Sequence, residues 1–375
     1  MKNKIAVMGG GNGAHAMAAD LAIKGFEVNM CEAPEFRERF KTTSERGEID
    51  LIDPIGQERT AKLHKATIDV EEALKGVGYV MVVIPAFGHK RFFDLIMPHL
   101  EDGQHVVAWP GNYASLLFAN MLRQEKMKRN IILAEASTLP YAARLIAPSR
   151  VRILSYALSN SLAAFPGKDT GKVIHDLKDV LRVAPSENVL GVAIANINYA
   201  LHPVGSILNV GHIETLKSDY RLYRDGMTAS VLRVIKAVYE EAVKLQQALG
   251  VTSYAKIPDK AFESIEELMQ ECEGIPGIAL SSPEAKEFIR KAFASATEPS
   301  SMQSRYVTED VPYGLVPTAL LANKLGVHTP IINSIIELSS VVNQTNYWKK
   351  GRSLEELGIA TLSKEELKNV LQEGF

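Results

Sequence analysis

Through the first half of the chain, short β-branched and aliphatic runs alternate with stretches of helical periodicity. Residues 4–8, 27–30, 79–84, 105–108 and 130–133 are near-continuous apolar runs, the pattern of strands buried on both faces. Between them, residues 15–24, 35–46, 89–100 and 114–126 place apolar positions at helical spacing. Strand and helix in turn predict a parallel sheet with right-handed crossovers. Residues 50–65 and 150–162 are candidates for further strands.

After about Pro185 the texture changes to long helical patterns over 188–201, 203–217, 227–249 and 331–342. The third carries Val231, Ile235, Val238, Ala242, Leu245 and Leu249 as one apolar stripe that stops at Gly250, a pattern suited to a core or to a subunit interface. The expected fold class is therefore α/β: a Rossmann-type doubly wound parallel sheet over 1–180, then an all-helical domain over 181–375 that holds substrate and catalysis. The boundary is expected between residues 168 and 187. A homodimer is compatible with this reading.

Composition narrows the function classes. Apolar residues make up 46% of the chain and charged residues 23%, which are ordinary globular values. A formal net charge of −2, with no basic block interleaved with aromatics, argues against nucleic acid as a partner. The only cysteines, Cys31 and Cys272, form neither a disulfide framework nor a CxxC pair, which fits a reducing compartment. The apolar run at the start breaks at Gly9-Gly10-Gly11-Asn12, too early for a signal peptide. No stretch approaches the roughly 20 apolar residues that span a bilayer. A cytoplasmic protein without a membrane partner is expected.

The strongest local motif is Val7-Met8-Gly9-Gly10-Gly11-Asn12-Gly13-Ala14-His15, lying between an expected strand and an expected helix. Gly9, Gly11 and Ala14 form G-x-G-x-x-A. Gly9 suits the tight turn, Gly11 a close approach of pyrophosphate, and Ala14 close packing of helix on strand. Asn12 and Gly13 open the helix, whose free N–H groups and positive dipole end attract phosphate. Glu32 ends the second strand near the spacing of a ribose-binding acid. A carboxylate there favours NAD over NADP, although NADP stays open through Arg37 and Arg39. Pro85 and Asn112 follow two further strands on the same edge of the sheet. Asn112, in Trp109-Pro110-Gly111-Asn112, can orient the nicotinamide or the substrate, or serve only the turn.

Hydride transfer to a carbonyl or imine also needs a proton donor. Of nine histidines, His202 stands out because Pro203 disfavours helix at the preceding residue and suits the start of a new one. This predicts His202 at a helix junction, facing a cleft between domains; a capping or core histidine is the alternative. The segment from Ser304 to Pro317 reads as a polar loop bounded by Pro and Gly. Arg305 in it can grip a carboxylate, and Asp310 can orient an imidazole. Neither a metal-binding motif such as HExxH nor a G-x-S-x-G elbow occurs.

The stretch from His202 to Glu214, the helix start at Gly226-Met227-Thr228-Ala229-Ser230-Val231 and the Thr308–Pro317 segment together resemble the octopine/nopaline dehydrogenase family. The amino-terminal Gly-Gly-Gly-Asn-Gly-Ala-His run is similar to its nucleotide loop. The glycine loop alone would also fit ketopantoate reductases, glycerol-3-phosphate dehydrogenases or a non-catalytic dinucleotide sensor. The resemblance implies a second domain like the helical domain of 6-phosphogluconate dehydrogenase. It further implies reductive joining of an amino acid to a 2-oxo acid, often pyruvate, giving an N-(1-carboxyalkyl) amino acid. It maps a catalytic histidine–aspartate pair onto His202 and Asp310, a substrate-carboxylate arginine onto Arg305, and a position near the keto acid onto Thr138.

Overall fold

The computed structural model describes residues 3–158, 160–251, 257–274 and 298–375. They form two compact units, Met1–Val189 with Asn369–Phe375, and Leu190–Lys368. Among the described residues no helix is long and apolar enough to cross a membrane.

The first unit is built on an eight-stranded sheet. Its first six strands in spatial order are β5 (Lys65–Thr67), β2 (Glu27–Cys31), β1 (Lys4–Met8), β6 (Tyr79–Val82), β7 (His105–Ala108) and β8 (Ile132–Ala136). Every neighbouring pair among these six is parallel. Beyond β8 lie β11 (Ser161–Phe165), which is antiparallel to it, and β12 (Ala184–Pro185). Chain order therefore reverses between β1 and β6, and a crevice opens outside the carboxyl ends of strands at such a reversal.

A smaller sheet joins β3 (Glu48–Ile52), β4 (Glu58–Lys62), β9 (Tyr141–Ala147) and β10 (Arg150–Ala157). The candidate strand region 50–65 thus resolves into β3, β4 and the start of β5. Residues 150–162 divide between the two sheets, with Ser159 outside the described residues. Helix α1 (Asn12–Ile23) packs on β1 and β2 of one sheet and on β4 and β9 of the other. Contact on both sides explains why Ala14–Leu21 are all buried and why alanines dominate there: a small side chain allows close approach of helix to strand.

In the second unit the stripe on helix Ala229–Leu249 faces inward, burying Val231, Ile235, Val238, Leu245 and Leu249. Gly250 ends the helix at φ 78°, the left-handed conformation a glycine adopts without a Cβ penalty. Glu241 on this helix is buried, and its two carboxylate oxygens accept the backbone N–H groups of Ile331 and Ile332, 2.9 Å each. That bond pair caps the amino terminus of helix Pro330–Val342.

Two local expectations fail. Pro203 does not start a helix: it lies inside helix Asn198–Ile207, with His202 beside it rather than at a junction. Proline there removes one intrahelical bond, but Tyr199–Ile207 are all buried, and that packing outweighs the loss. Nor is the segment around Arg305 a loop. It folds as a short helix, Arg305–Thr308, one π-helical turn, Val311–Leu315, and helix Val316–Lys324. Pro312 and Pro317 occupy first-turn positions, where a missing N–H is tolerated.

Candidate active site

At the switch point, β1 leads into Gly9, whose N–H donates to Cys31 O at 2.7 Å, while Val83 N donates to Met8 O at 2.9 Å. Gly9 has φ 119°, and a Cβ there would lie 2.6 Å from Val83 O, so only glycine fits. Gly11 meets the opposite situation: nothing lies within 4 Å of a Cβ placed on it. It stands at the N-cap of α1, exposed, where the first N–H groups of the helix are free to receive an anion. This open cradle at a helix amino terminus fits a dinucleotide pyrophosphate. Gly13 packs against Leu139 and Val83, and Ala14 is fully buried on the sheet. Asn12 is exposed and its Oδ1 accepts the N–H of Leu145 at 2.9 Å, tying the loop to β9.

Glu32 leans over the same loop. Its Oε1 accepts Ala33 N–H at 2.8 Å, and its Oε2 fills the space where a Cβ on Gly10 would stand. Burial pushes its carboxyl above the usual range, opposed by hydrogen bonds from Ala33 and Gly10 and by the charge of Arg39. The acid therefore stands where the second strand meets the glycine loop. His15, one turn into α1, is buried with Nε2 2.8 Å from Thr43 Oγ1 and Nδ1 3.1 Å from Gly11 O. Burial holds its pKa below the ordinary value.

Pro85 is exposed and starts the 3-10 turn Ala86–Gly88 after β6. Asn112 is buried with φ 51° just before helix Ala114–Gln124. Thr138 follows β8, and Asn160 grips its backbone: Asn160 Oδ1 accepts Thr138 N–H at 3.3 Å, and Asn160 Nδ2 donates to Thr138 O at 2.9 Å. Thr138 thus adjoins Leu139, which touches Gly13 of the glycine loop.

The second unit brings together residues far apart in sequence. His202 Nδ1 lies 2.7 Å from Asp310 Oδ2, and His202 Nε2 lies 3.0 Å from the Tyr223 hydroxyl. The ring of Tyr306 stacks on the imidazole with centroids 3.8 Å apart and planes 3° from parallel. All four side chains are buried. Burial drives the Asp310 carboxyl well above the usual range, and the positive charge of Arg305 draws it back down. Arg305 itself is about half exposed; its guanidinium lies 3.9 Å from Glu309 and 3.8 Å from Glu298.

Residues 185–343 match the family model described as NAD/NADP octopine/nopaline dehydrogenase, alpha-helical domain. Over this stretch the chain resembles the octopine/nopaline dehydrogenase family. This family is one of NAD(P)-dependent oxidoreductases. An opine dehydrogenase of Arthrobacter sp. (strain 1C) is 27% identical, the alignment covering 98% of each chain. Among solved structures, an octopine dehydrogenase in complex with NADH and agmatine superposes with TM-score 0.70 at 19% identity, over 99% of this chain and 98% of that one. A yersinopine dehydrogenase with NADP+ bound gives TM-score 0.65 at 15% identity, over 100% and 99%. These similarities show the expected fold, a Rossmann-type unit followed by a helical one.

Sequence reasoning passed over two residues of the imidazole cluster and one buried acid. Tyr223 and Tyr306 hold the ring of His202 in the folded chain, yet no motif marks them. Tyr223 belongs to a π-helical turn, Leu222–Gly226, and Asp310 caps a second, Val311–Leu315. Such turns concentrate at functional sites, but they leave no spacing signal in a sequence. The third is Glu135 on β8, fully buried, whose Oε2 accepts Ser115 N–H at 2.9 Å in the first turn of helix Ala114–Gln124. Its side chain lies where a Cβ on Gly111 would stand, which explains the glycine next to Asn112.

Proposed function

We propose that this chain reductively condenses the amino group of an amino acid with a 2-oxo acid such as pyruvate, giving an N-(1-carboxyalkyl) amino acid. The observation that carries the reading is the buried His202–Asp310 pair at 2.7 Å, in the part of the chain matched by the family's helical-domain model. A bound nicotinamide dinucleotide supplies the hydride that reduces the imine carbon. The glycine cradle holds its pyrophosphate, and Glu32 accepts hydrogen bonds from its ribose and disfavours a 2′-phosphate, so NAD is preferred to NADP. Asn112 and Pro85 border the same loops.

The pair supplies the proton. A lone carboxylate is costly where Asp310 lies, because burial penalises its charge. A second proton shared between the two side chains cancels that charge, so the pair is stable when loaded for donation. Asp310 fixes the imidazole through Nδ1, which directs the exchangeable proton to the Nε2 side. His202 then acts as general acid when the oxygen of the condensing carbonyl departs as water. Arg305, half open to solvent, pairs with a substrate carboxylate, and Thr138 lies near the keto acid.

The experiment is a screen of the purified protein for NADH and NADPH oxidation with pyruvate or glyoxylate, alone and with each amino acid in turn. Amine-dependent oxidation is the expected result. Turnover without an amine would instead mark a plain 2-oxo acid reductase. Tight dinucleotide binding with no turnover for any pair would mark a non-catalytic sensor.

A further inference from the structure

The route by which His202 passes its proton to substrate is fixed by what surrounds the ring. An imidazole exchanges protons only in its own plane, through Nδ1 and Nε2. Nδ1 is directed at Asp310 Oδ2, 2.7 Å away, and Nε2 meets the Tyr223 hydroxyl at 3.0 Å. Tyr306 covers one ring face in parallel contact. A proton leaving Nε2 along the ring plane therefore meets Tyr223 first. We infer that the Tyr223 hydroxyl relays the proton of His202 to the departing oxygen, an inference that rests on the condensation proposed above.

A tyrosine hydroxyl suits the task because it accepts one hydrogen bond while donating another. The fold also brings it close deliberately. Tyr223 sits in the π-helical turn Leu222–Gly226, and this turn approaches the helix that carries His202 at Gly205. A Cβ on Gly205 would lie 3.1 Å from Leu222 Cδ1 and 2.9 Å from Met227 Cε, so the bare glycine lets these side chains of the turn and its end pack against the helix.

The step balances as follows. The N–H bond at His202 Nε2 breaks as its proton joins the Tyr223 oxygen. The hydroxyl's original proton bonds to the oxygen of the carbinolamine formed from amine and 2-oxo acid. That C–O bond then breaks, water leaves with the electron pair, and the amine lone pair completes C=N. Tyr223 ends as a neutral hydroxyl, and His202 has lost one proton.

The test compares Tyr223→Phe, His202→Ala and the double variant in steady-state kinetics with the amine and oxo acid found by the screen. Tyr223→Phe is expected to lower kcat by about 10²–10⁴-fold, the scale of one acid–base group, with both KM values within about threefold of the parent. The double variant should lose no more than His202→Ala alone, because the two groups serve one transfer. Wild-type kcat in Tyr223→Phe beside an inactive His202→Ala would overturn the relay, since Nε2 must then reach substrate directly. So would a change confined to KM, or losses that multiply in the double variant. A fully active His202→Ala would instead defeat the reading of the pair itself. Should the phenylalanine variant not fold, 3-fluorotyrosine at 223 keeps the shape and acidifies the hydroxyl. The kcat profile should then move to lower pH, and an unmoved profile would overturn the relay.

Discussion

His202 Nδ1 and Asp310 Oδ2 stand 2.7 Å apart although 108 residues separate them in the chain. One comes from the middle of a helix, the other from the cap of a π-helical turn, and both are buried. Among the described residues the Asp310 carboxylate accepts from one imidazole, and burying a carboxylate for such a bond is an expensive way to stabilise a fold. Its cost is understandable if the pair handles protons.

Replacing Arg305 with alanine should weaken binding of the carboxylate substrate. A hydrogen-bonded charge pair contributes about 1.5–3 kcal/mol, so KM should rise roughly 10- to 100-fold. Steady-state kinetics with the 2-oxo acid varied would show it. A variant altered only in its melting temperature would rule out the carboxylate contact.

Cofactor choice should follow Glu32. Glu32→Ala removes the charge beside the glycine loop that repels a 2′-phosphate, and the preference for NADH over NADPH should fall by roughly tenfold or more, the equivalent of about 1.4 kcal/mol. The ratio of kcat/KM for the two cofactors is the measurement. An unchanged ratio would mean that the acid serves only its bonds to Ala33 and Gly10.

The glycines of the loop should separate into two kinds. Gly9→Ala forces a Cβ to within 2.6 Å of Val83 O at φ 119°, and a loss of about 1–3 kcal/mol or more in stability is expected. Gly11→Ala meets no neighbour within 4 Å, so its melting curve should match the parent while NADH binding weakens. Melting curves and NADH fluorescence titrations of both variants would test this. Equal destabilisation by the two would contradict it.

Stability should also depend on His15. Burial lowers its pKa in the folded chain below the ordinary imidazole value of 6.5, so the unfolded chain binds a proton more readily. The stability this group contributes is then present above pH 6.5 and is lost as pH falls from there through the folded-state value. His15→Gln should flatten that part of the stability profile, as urea unfolding at pH 7.5 and 5.5 would reveal. An identical pH dependence in both proteins would refute the assignment.

How much of this was legible depends on distance along the chain. The Gly9–Ala14 loop and the flanking strands occupy one short stretch, and their pattern alone predicts the parallel core of the first unit. The stripe from Val231 to Leu249 was equally plain, because helical period and burial coincide there. Of the antiparallel additions, the regions 50–65 and 150–162 were marked as strands but β9 was not: it alternates its exposure along a sheet that the βα rhythm does not announce. Pro203 and the Pro-Gly segment near Asp310 were misread because proline and glycine signal breaks locally, whereas packing on Tyr199 and its neighbours kept both segments helical. Asp310 was paired with His202 only through resemblance to a family. Tyr223 and Tyr306 were invisible, since ring stacking and a π-helical turn are properties of the folded chain.

The account stands most directly on the effect of removing the imidazole. Amine-dependent NADH oxidation by His202→Ala, measured beside NADH affinity, should show turnover reduced by about 10²–10⁴-fold and cofactor binding close to the parent's. Turnover equal to that of the unaltered protein would contradict proton transfer by the His202–Asp310 pair.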